Sequence, residues 1–399
     1  MPADNHKLKV SLVVSDLSSS GAGRWGGGVR PFLLAQALRK LDYQVEMVGV
    51  AFGEKAKAID NSEIPIFAFP CQYHTGFFSA ASQVLKKIDG DIIYAVKLKP
   101  TSFGIALAKK FLSHRPLMLD IDDWELSWHG GEKWQYRPGS KQFIRDIFSA
   151  EGALKHPDHP LYLKWVEKFY HRADIITIHN QFLQKRFGGT YIPNGKDTDL
   201  FDPAKYDYQA SRIKYNLADY KILMFPGAPR PYKGVEDVLI ALDQLGQSDL
   251  RLAIVGGSPY DDYDRQLTEK WGKWIIQLPR SPVNIMPEIV AAADIIVVPQ
   301  RDTPAAQAQF PLKLTDGMAM AKPILATNVG DIPKILDDTG YLVAPSCPEQ
   351  IANAIKVILA DLDTAKTKGI EARKRCIQYY SIETMAQILD RTMSKFKTK

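Results

Sequence analysis

The chain has 399 residues, more than one hydrophobic core usually serves, with 45% hydrophobic and 24% charged side chains; this predicts two folded domains and excludes a low-complexity or collagen-like body. Its net charge of +6 lies wholly in residues 1–190, with 25 basic and 19 acidic side chains against 26 and 26 in residues 191–399; with no dense Lys/Arg run or basic-aromatic stripe, no nucleic-acid partner is expected, and the basic half reads as a solvated surface or as a dock for anionic lipid or an anionic acceptor. Three scattered cysteines (Cys71, Cys347, Cys376), no apolar h-region in MPADNHKLKV and no apolar run near the roughly 20 residues of a membrane span give the expectation of a cytoplasmic protein with at most a peripheral membrane contact.

Short β-branched runs alternate with amphipathic stretches throughout, the pattern of parallel sheets flanked by helices. In the first half, strands are expected at 7–14, 44–50, 65–69, 91–96, 116–121 and 174–179. After the first of them, Gly21-Ala-Gly23-Arg-Trp-Gly26 matches the dinucleotide fingerprint G-x-G-x-x-G. The strand ends at Val14, however, so residues 15–20 separate it from the first glycine. The second strand ends in Val48-Gly49-Val50, with no acidic residue to hold a ribose. An NAD-dependent oxidoreductase is therefore the weakest reading. What stays is a glycine-rich loop, Gly26-Gly27-Gly28, feeding a helix at Val29–Lys40 whose N-terminal amides suit phosphate. Gly27 and Gly28 are thus donor-site candidates, with a plain flexible loop as the alternative.

Farther along, the stretch 75–88 carries Phe77 and Phe78 at one end and Lys86 and Lys87 at the other. That suits a membrane interface, and equally a core-packing helix. The strand at 116–121 runs into Asp120, Asp122 and Asp123. Carboxylates at the C-terminal end of a parallel strand can bind a sugar hydroxyl, orient an acceptor hydroxyl or accept its proton; a divalent-metal pair and a purely structural turn are the alternatives. Residues 124–172 interrupt the unit with aromatics, His and Pro and with helical spacing at 161–171, as an acceptor-side element or as plain packing. The polar segment 194–219 shows no strong apolar periodicity and reads as the link. The domains are then 1–195 and 196–381, with a last helix at 382–396 that crosses back onto the first.

The second half repeats the alternation, with strands expected at 221–226, 250–256, 274–278, 294–299, 322–327 and 341–343. It also carries five ordered landmarks. They are Ile192-Pro-Asn-Gly195 followed by Asp197 and Phe201-Asp-Pro203; Phe225-Pro-Gly-Ala-Pro-Arg-Pro-Tyr-Lys-Gly234; Ile254-Val-Gly-Gly257; Ala293-Asp-Ile-Ile-Val-Val-Pro299; and Phe310-Pro-Leu-Lys-Leu-Thr-Asp316 leading to Lys322-Pro-Ile-Leu-Ala-Thr327. In this order they resemble the retaining glycosyltransferases of family 4, closely over 190–345 and more loosely over 8–50 and 90–180. The resemblance implies the GT-B fold, two Rossmann-like parallel-sheet domains facing across a cleft, with the nucleotide-sugar donor on the C-terminal one. It also implies transfer to a hydroxyl acceptor with retained anomeric configuration. No cofactor or metal is expected, and the substrate is a UDP- or GDP-linked sugar.

Chemistry supports the assignment of roles. A diphosphate leaving group gathers negative charge as the glycosidic bond breaks, and cations with oriented amides stabilise it. Arg230 and Lys233 supply the cations. Gly227 and Gly256, at strand ends, let backbone approach a ligand. Leu312, Lys313 and Leu314 open a helix whose amides face the same phosphates. Base recognition is expected around 280–286.

This chain departs from the family pattern in four places. Of the family's two glutamates eight positions apart, the second is Asp316, a carboxylate still able to hold ribose hydroxyls, and the first is Ala308, which can hold nothing. Asp122 stands where relatives carry a His. Ala228 stands where many carry the phosphate arginine, displaced here to Arg230. Ala308 and Asp122 motivate a second reading, a glycosyltransferase-like subunit that binds but does not turn over.

Overall fold

The structure, a computed structural model, describes residues 7–18, 29–53, 63–72, 75–258 and 261–397. The chain divides into two compact units, Met1–Pro193 with Met385–Lys399, and Asn194–Thr384. The glycine-rich loop with Gly27 and Gly28, and the fingerprint match at 21–26, lie outside the described residues.

The first unit is built on a parallel seven-stranded sheet in the order β3-β2-β1-β4-β5-β6-β7. Its strands are β1 Lys9–Val14, β2 Gln44–Phe52, β3 Ile66–Cys71, β4 Ile92–Val96, β5 Leu117–Ile121, β6 Ile175–Ile178 and β7 Thr190–Tyr191. Strands covered on both faces are apolar without alternation, and β4 and β5 are buried at every position. Two-residue β7 is too short for a periodicity signal and escapes sequence reading. The helix Val29–Lys40 forms as expected. The spacing at 161–171 becomes a helix over Pro160–Glu167 and a separate 3-10 turn over Tyr170–Arg172.

The second unit carries a parallel six-stranded sheet in the order β10-β9-β8-β11-β12-β13. These strands are β8 Lys221–Pro226, β9 Leu250–Val255, β10 Ile275–Leu278, β11 Ile295–Val298, β12 Ile324–Thr327 and β13 Tyr341–Val343. Side chains alternate across such a sheet, and the alternation builds two cores. Ile222, Met224, Ile296 and Val298 face one layer, with Leu314, Met318 and Ala372. Leu223, Phe225, Ile295 and Val297 face the other, with Val238, Leu242 and Ile355.

The polar segment 194–219 is not a loose link. Phe201 and Leu217 enter the core of the second unit, and the helix Tyr208–Lys214 buries Arg212, whose guanidinium meets Asp294 at 3.0 Å and the Ala292 carbonyl at 3.2 Å. A buried charge satisfied at long sequence range leaves no trace in apolar periodicity. The division between the units falls at Pro193/Asn194, and the helix Ile382–Lys397 passes into the first unit at Met385.

In both sheets the order reverses beside the first strand, between β1 and β4 and between β8 and β11. Crevices at the C-terminal ends of such strands are where open parallel sheets take ligands.

Candidate active site

In the second unit the crevice mouth is formed by the loops that leave β8 and β11. Gly227 ends β8 at φ +142°, and its N–H donates to the Val255 carbonyl (3.1 Å). The chain then turns through Pro231–Lys233 to Gly234, at φ +65°. A Cβ on Gly234 would lie 1.9 Å from the Pro299 carbonyl oxygen, so only glycine lets this loop close against the end of β11. Arg301 fastens it there: its N–H donates to the Tyr232 carbonyl (2.9 Å), and its guanidinium grips Asp237 at 3.0 and 2.6 Å.

This loop carries Arg230 and Lys233, which the sequence nominates, and a third cation joins them. Lys313, on the helix Leu312–Ala319, has its Cε 3.9 Å from where a Gly227 Cβ would sit and its Nζ 4.8 Å from the Phe225 ring centroid. Lys233 donates to the Ala228 carbonyl (2.8 Å), and Arg230 lies 3.7 Å from Asp261. Neither Lys233 nor Lys313 meets a carboxylate in an ion pair among the described residues. Burial, then the charges of Lys313 and Arg230, pull the Lys233 amine well below its usual value. Burial pulls Lys313 down to about 8. Crowded, partly desolvated cations of this kind await an anion.

At the opening of the same helix, the Leu314 amide is taken by the Pro311 carbonyl (2.9 Å) and the Leu314 side chain is core. That narrows the amides at the helix opening to those of Leu312 and Lys313. Gly256 comes directly after β9 at φ +90°, donates to the Leu278 carbonyl (3.0 Å), and borders Arg280 at the start of the 280–286 loop.

Asp316 is buried and ion-paired with Lys196. Lys196 carries no signal of its own in the sequence, although it directly succeeds the Ile192–Gly195 landmark. Its backbone is held by Tyr380 and Ile382 (2.7 and 3.0 Å), and its Nζ lies 4.3 Å from the Phe201 ring centroid. The shorter carboxylate is thus reached by a lysine fixed from the far end of the unit. Ala308 is fully buried, its N–H closing a turn onto Pro304 (3.0 Å), so that position offers no polar side chain.

In the first unit the acidic turn comes after β5. Asp120 is separated from its neighbours in role. Arg30 grips it at 3.0 and 2.8 Å, Thr177 donates to it at 2.7 Å, and both Asp120 and Arg30 are buried. Arg30 also donates to the Ile192 and Pro193 carbonyls (3.0 and 3.2 Å). No sequence motif flags Arg30, 90 positions from its partner.

Asp122 and Asp123 instead enter a charge network around Lys97, a non-glycine residue at φ +77° just past β4. Such a conformation costs about 1–3 kcal/mol and is held by its surroundings, here the Asp120 carbonyl accepting from Lys97 N–H (2.9 Å) and Ser102 Oγ donating to the Lys97 carbonyl (2.7 Å). The Lys97 ammonium meets Asp122 at 3.1 Å and Glu125 at 3.0 Å, and Lys99 meets Glu125 at 3.1 Å and Asp158 at 3.8 Å. Burial opposes every one of these charges. Asp122, Glu125 and Asp123 nevertheless hold Lys97 well above its usual value, and Lys97 and Lys99 hold Glu125 down at about 2. Asp123 goes the other way. Burial, reinforced by Glu125 and Asp122 against the pull of Lys97, pushes it up to about 7. One oxygen accepts from Trp128 Nε1 (2.9 Å), and the other is buried without a hydrogen bond among the described residues.

The membrane candidates are on the helix Phe77–Lys87. Phe78 is 87% exposed, but Ala80 and Val84 are buried and Lys87 is engaged with Glu46 (3.5 Å) and the Phe67 ring. No described helix is long and apolar enough to cross a membrane, and among the described residues no group of three or more His, Cys, Asp or Glu is placed to hold a metal ion.

Residues 220–361 match the family described as Glycosyl transferases group 1. Over 238 residues the chain is 26% identical to a GDP-mannose-dependent alpha-(1-6)-phosphatidylinositol monomannoside mannosyltransferase of Mycolicibacterium smegmatis, covering 56% of this chain and 62% of that one. It is 26% identical over 227 residues to an alpha-maltose-1-phosphate synthase of the same organism, covering 52% and 56%. The chain thus spans less than two thirds of the length of these curated relatives. Among solved structures it is similar to a sucrose-phosphate synthase from Thermosynechococcus elongatus (TM-score 0.71, 18% identity, 98% and 100% covered). It is likewise similar to HepE of Anabaena in complex with UDP and glucose (TM-score 0.71, 17%, 97% and 99%). At these identities the likeness establishes the fold, GT-B with two Rossmann-like sheets.

Proposed function

We propose that the chain, whose residues 220–361 match the glycosyl transferases of group 1, belongs to that family and moves a sugar from a nucleoside diphosphate sugar to a hydroxyl acceptor. The observation that carries this reading is the trio Arg230, Lys233 and Lys313 at the mouth of the second sheet, two of them with depressed pKa values. A diphosphate restores the opposing charge these amines lack, and the charge growing on the leaving group strengthens the contact in the transition state. The amides of Leu312 and Lys313 add oriented dipoles. Asp316, held by Lys196, takes the ribose hydroxyls.

The transfer proceeds with retention and needs no metal, because cationic side chains neutralise the diphosphate. The leaving phosphate can take the proton of the acceptor hydroxyl on the same face. In the first unit, Asp122 and Asp123 are the carboxylates suited to orient a hydroxyl. One relative is named for GDP-mannose and a similar structure holds UDP and glucose, so both bases belong in the first screen.

The test is a thermal-shift screen of UDP and GDP sugars, then NMR determination of the product anomer. A bound donor raises the melting temperature by mass action. An inverted product, or a strict requirement for a divalent ion, overturns the mechanism. A second reading, binding without turnover, is favoured by Ala308, whose burial leaves the sugar end without its usual carboxylate; donor binding by calorimetry with no hydrolysis or transfer across an acceptor panel selects it.

A further inference from the structure

We infer that the helix Ser140–Phe148 is a membrane-docking element that seats its apolar face in a lipid surface carrying anionic headgroups. The observation is an inverted burial pattern. A surface helix normally turns its apolar stripe to the core. In SKQFIRDIF the buried residue is Asp146, while Phe143, Ile144 and Phe148 are 46%, 58% and 75% exposed and Ile147 is half-buried.

These four residues, at i, i+1, i+4 and i+5, form one continuous stripe along the helix. The helix is held to the body by its polar edge. Tyr136 Oη donates to the Asp146 carboxylate (2.8 Å), and Gly152 lies so close to the Asp146 carbonyl that a Cβ there would come within 2.4 Å. The apolar side is therefore presented outward by construction, since burying it would require breaking the Asp146 anchor.

Charge and size select the occupant. Lys141 and Arg145, both exposed, edge the stripe, and Lys133, Arg137 and Lys155 lie close by in sequence. Over 133–155 the carboxylates are the buried Asp146 and Glu151. An apolar stripe rimmed by cations is what an interfacial helix brings to an anionic bilayer. The three exposed side chains offer roughly 300 Å² of apolar area, at about 200 Å² per large side chain, well short of the ~800 Å² per partner of a stable protein interface. A bilayer sets no such minimum. The helix lies in the segment between β5 and β6 that also carries Asp123, but the inference does not depend on the glycosyl-transfer reading.

The experiment is flotation of the full chain with vesicles of phosphatidylcholine alone and with added phosphatidylglycerol, at low and high salt. Binding is expected with the anionic vesicles only, falling at least fivefold at high salt. F143S/F148S, both substitutions at exposed positions, is expected to lose at least tenfold of the bound fraction with an unchanged thermal melt, and K141E/R145E to lose the preference for anionic lipid. F78S, on the other candidate helix, is expected to float like the parent. No flotation of the parent overturns the inference, as does flotation unaffected by F143S/F148S and K141E/R145E. A parent that light scattering finds dimeric, and F143S/F148S makes monomeric, assigns the face to a second copy and equally overturns it.

Discussion

The two crevice mouths handle charge in opposite ways. In the first unit Lys97 and Lys99 are matched by Asp122, Glu125 and Asp158 within 4 Å, so the ions satisfy one another before any ligand arrives. In the second, Lys233 leans on a backbone carbonyl and Lys313 on an aromatic face, and their amines drift toward neutrality. A mouth whose ions are already paired gains little from a charged ligand and suits a neutral hydroxyl. A mouth of crowded cations gains most from an anion. The same strand-end geometry thus serves two kinds of ligand, by whether the counter-charge is built in or left to the ligand.

The largest effect expected from disturbing this contrast is on stability. Replacing Arg30 by Met strands the buried Asp120 and is expected to cost about 3–5 kcal/mol, a fall in melting temperature on the order of 10 °C. Calorimetry should find donor affinity unchanged, because the pair belongs to the paired unit alone.

Next, K233A is expected to lower kcat/KM about 10²–10³-fold, the typical effect of deleting one stabilising group for a developing anion. A loss under fivefold would remove Lys233 from the leaving-group site. The trio also predicts a pH effect. Bound diphosphate raises the pKa of Lys313 above its value of about 8, so donor binding takes up protons and the affinity weakens as pH rises beyond about 8. Calorimetry in buffers of different ionisation enthalpy checks the sign.

Asp123 tests the paired mouth through its protonation. Its folded pKa of about 7 exceeds the unfolded value near 3.9, so between about pH 4 and 7 the native state holds more protons than the unfolded one. This group therefore makes stability fall as pH rises through that window. D123N should abolish that slope, with a gain at pH 7 and a loss of acceptor turnover. Glu125 acts in a separate range. With its folded pKa near 2, it contributes stability above its unfolded value of about 4.3 that is lost as pH falls toward 2.

The smallest expected effect is at the ribose end. D316N should weaken donor binding about tenfold, ~1.4 kcal/mol, and a double-mutant cycle with K196M should show coupling between the two positions.

Legibility in the amino-acid sequence tracks the range of the forces involved. Strand β8 has the bounds that its apolar run predicts, because burial on both faces writes itself locally. Arg230, Lys233, Gly227 and Gly234 sit in a motif whose turn chemistry is also local. Arg30, Lys196 and Arg212 escape sequence reading for one reason. Arg30 and Arg212 are buried and Lys196 half-buried, and their partners lie 90, 82 and 120 positions away; composition gives no sign of which basic residue will find a carboxylate in the fold. The segment 194–219 reads as a link for the same cause, its polarity being satisfied inside the second unit. The helix Ser140–Phe148 also escapes sequence reading, since which of its faces meets the body depends on Asp146 and Tyr136.

The backbone around Lys196 has a consequence for how the chain is assembled. Lys196 bridges Ser381 in parallel, with hydrogen bonds to Tyr380 and Ile382 on either side, so the polypeptide enters and leaves the second unit side by side. Topologically that unit is an insert, a cassette spliced into the first at a single doorway. A cassette with adjoining ends can be exchanged for another of the same fold without rerouting its host, and it tolerates new termini cut at its own surface loops. Evolution can then vary the second unit while the first stays in place.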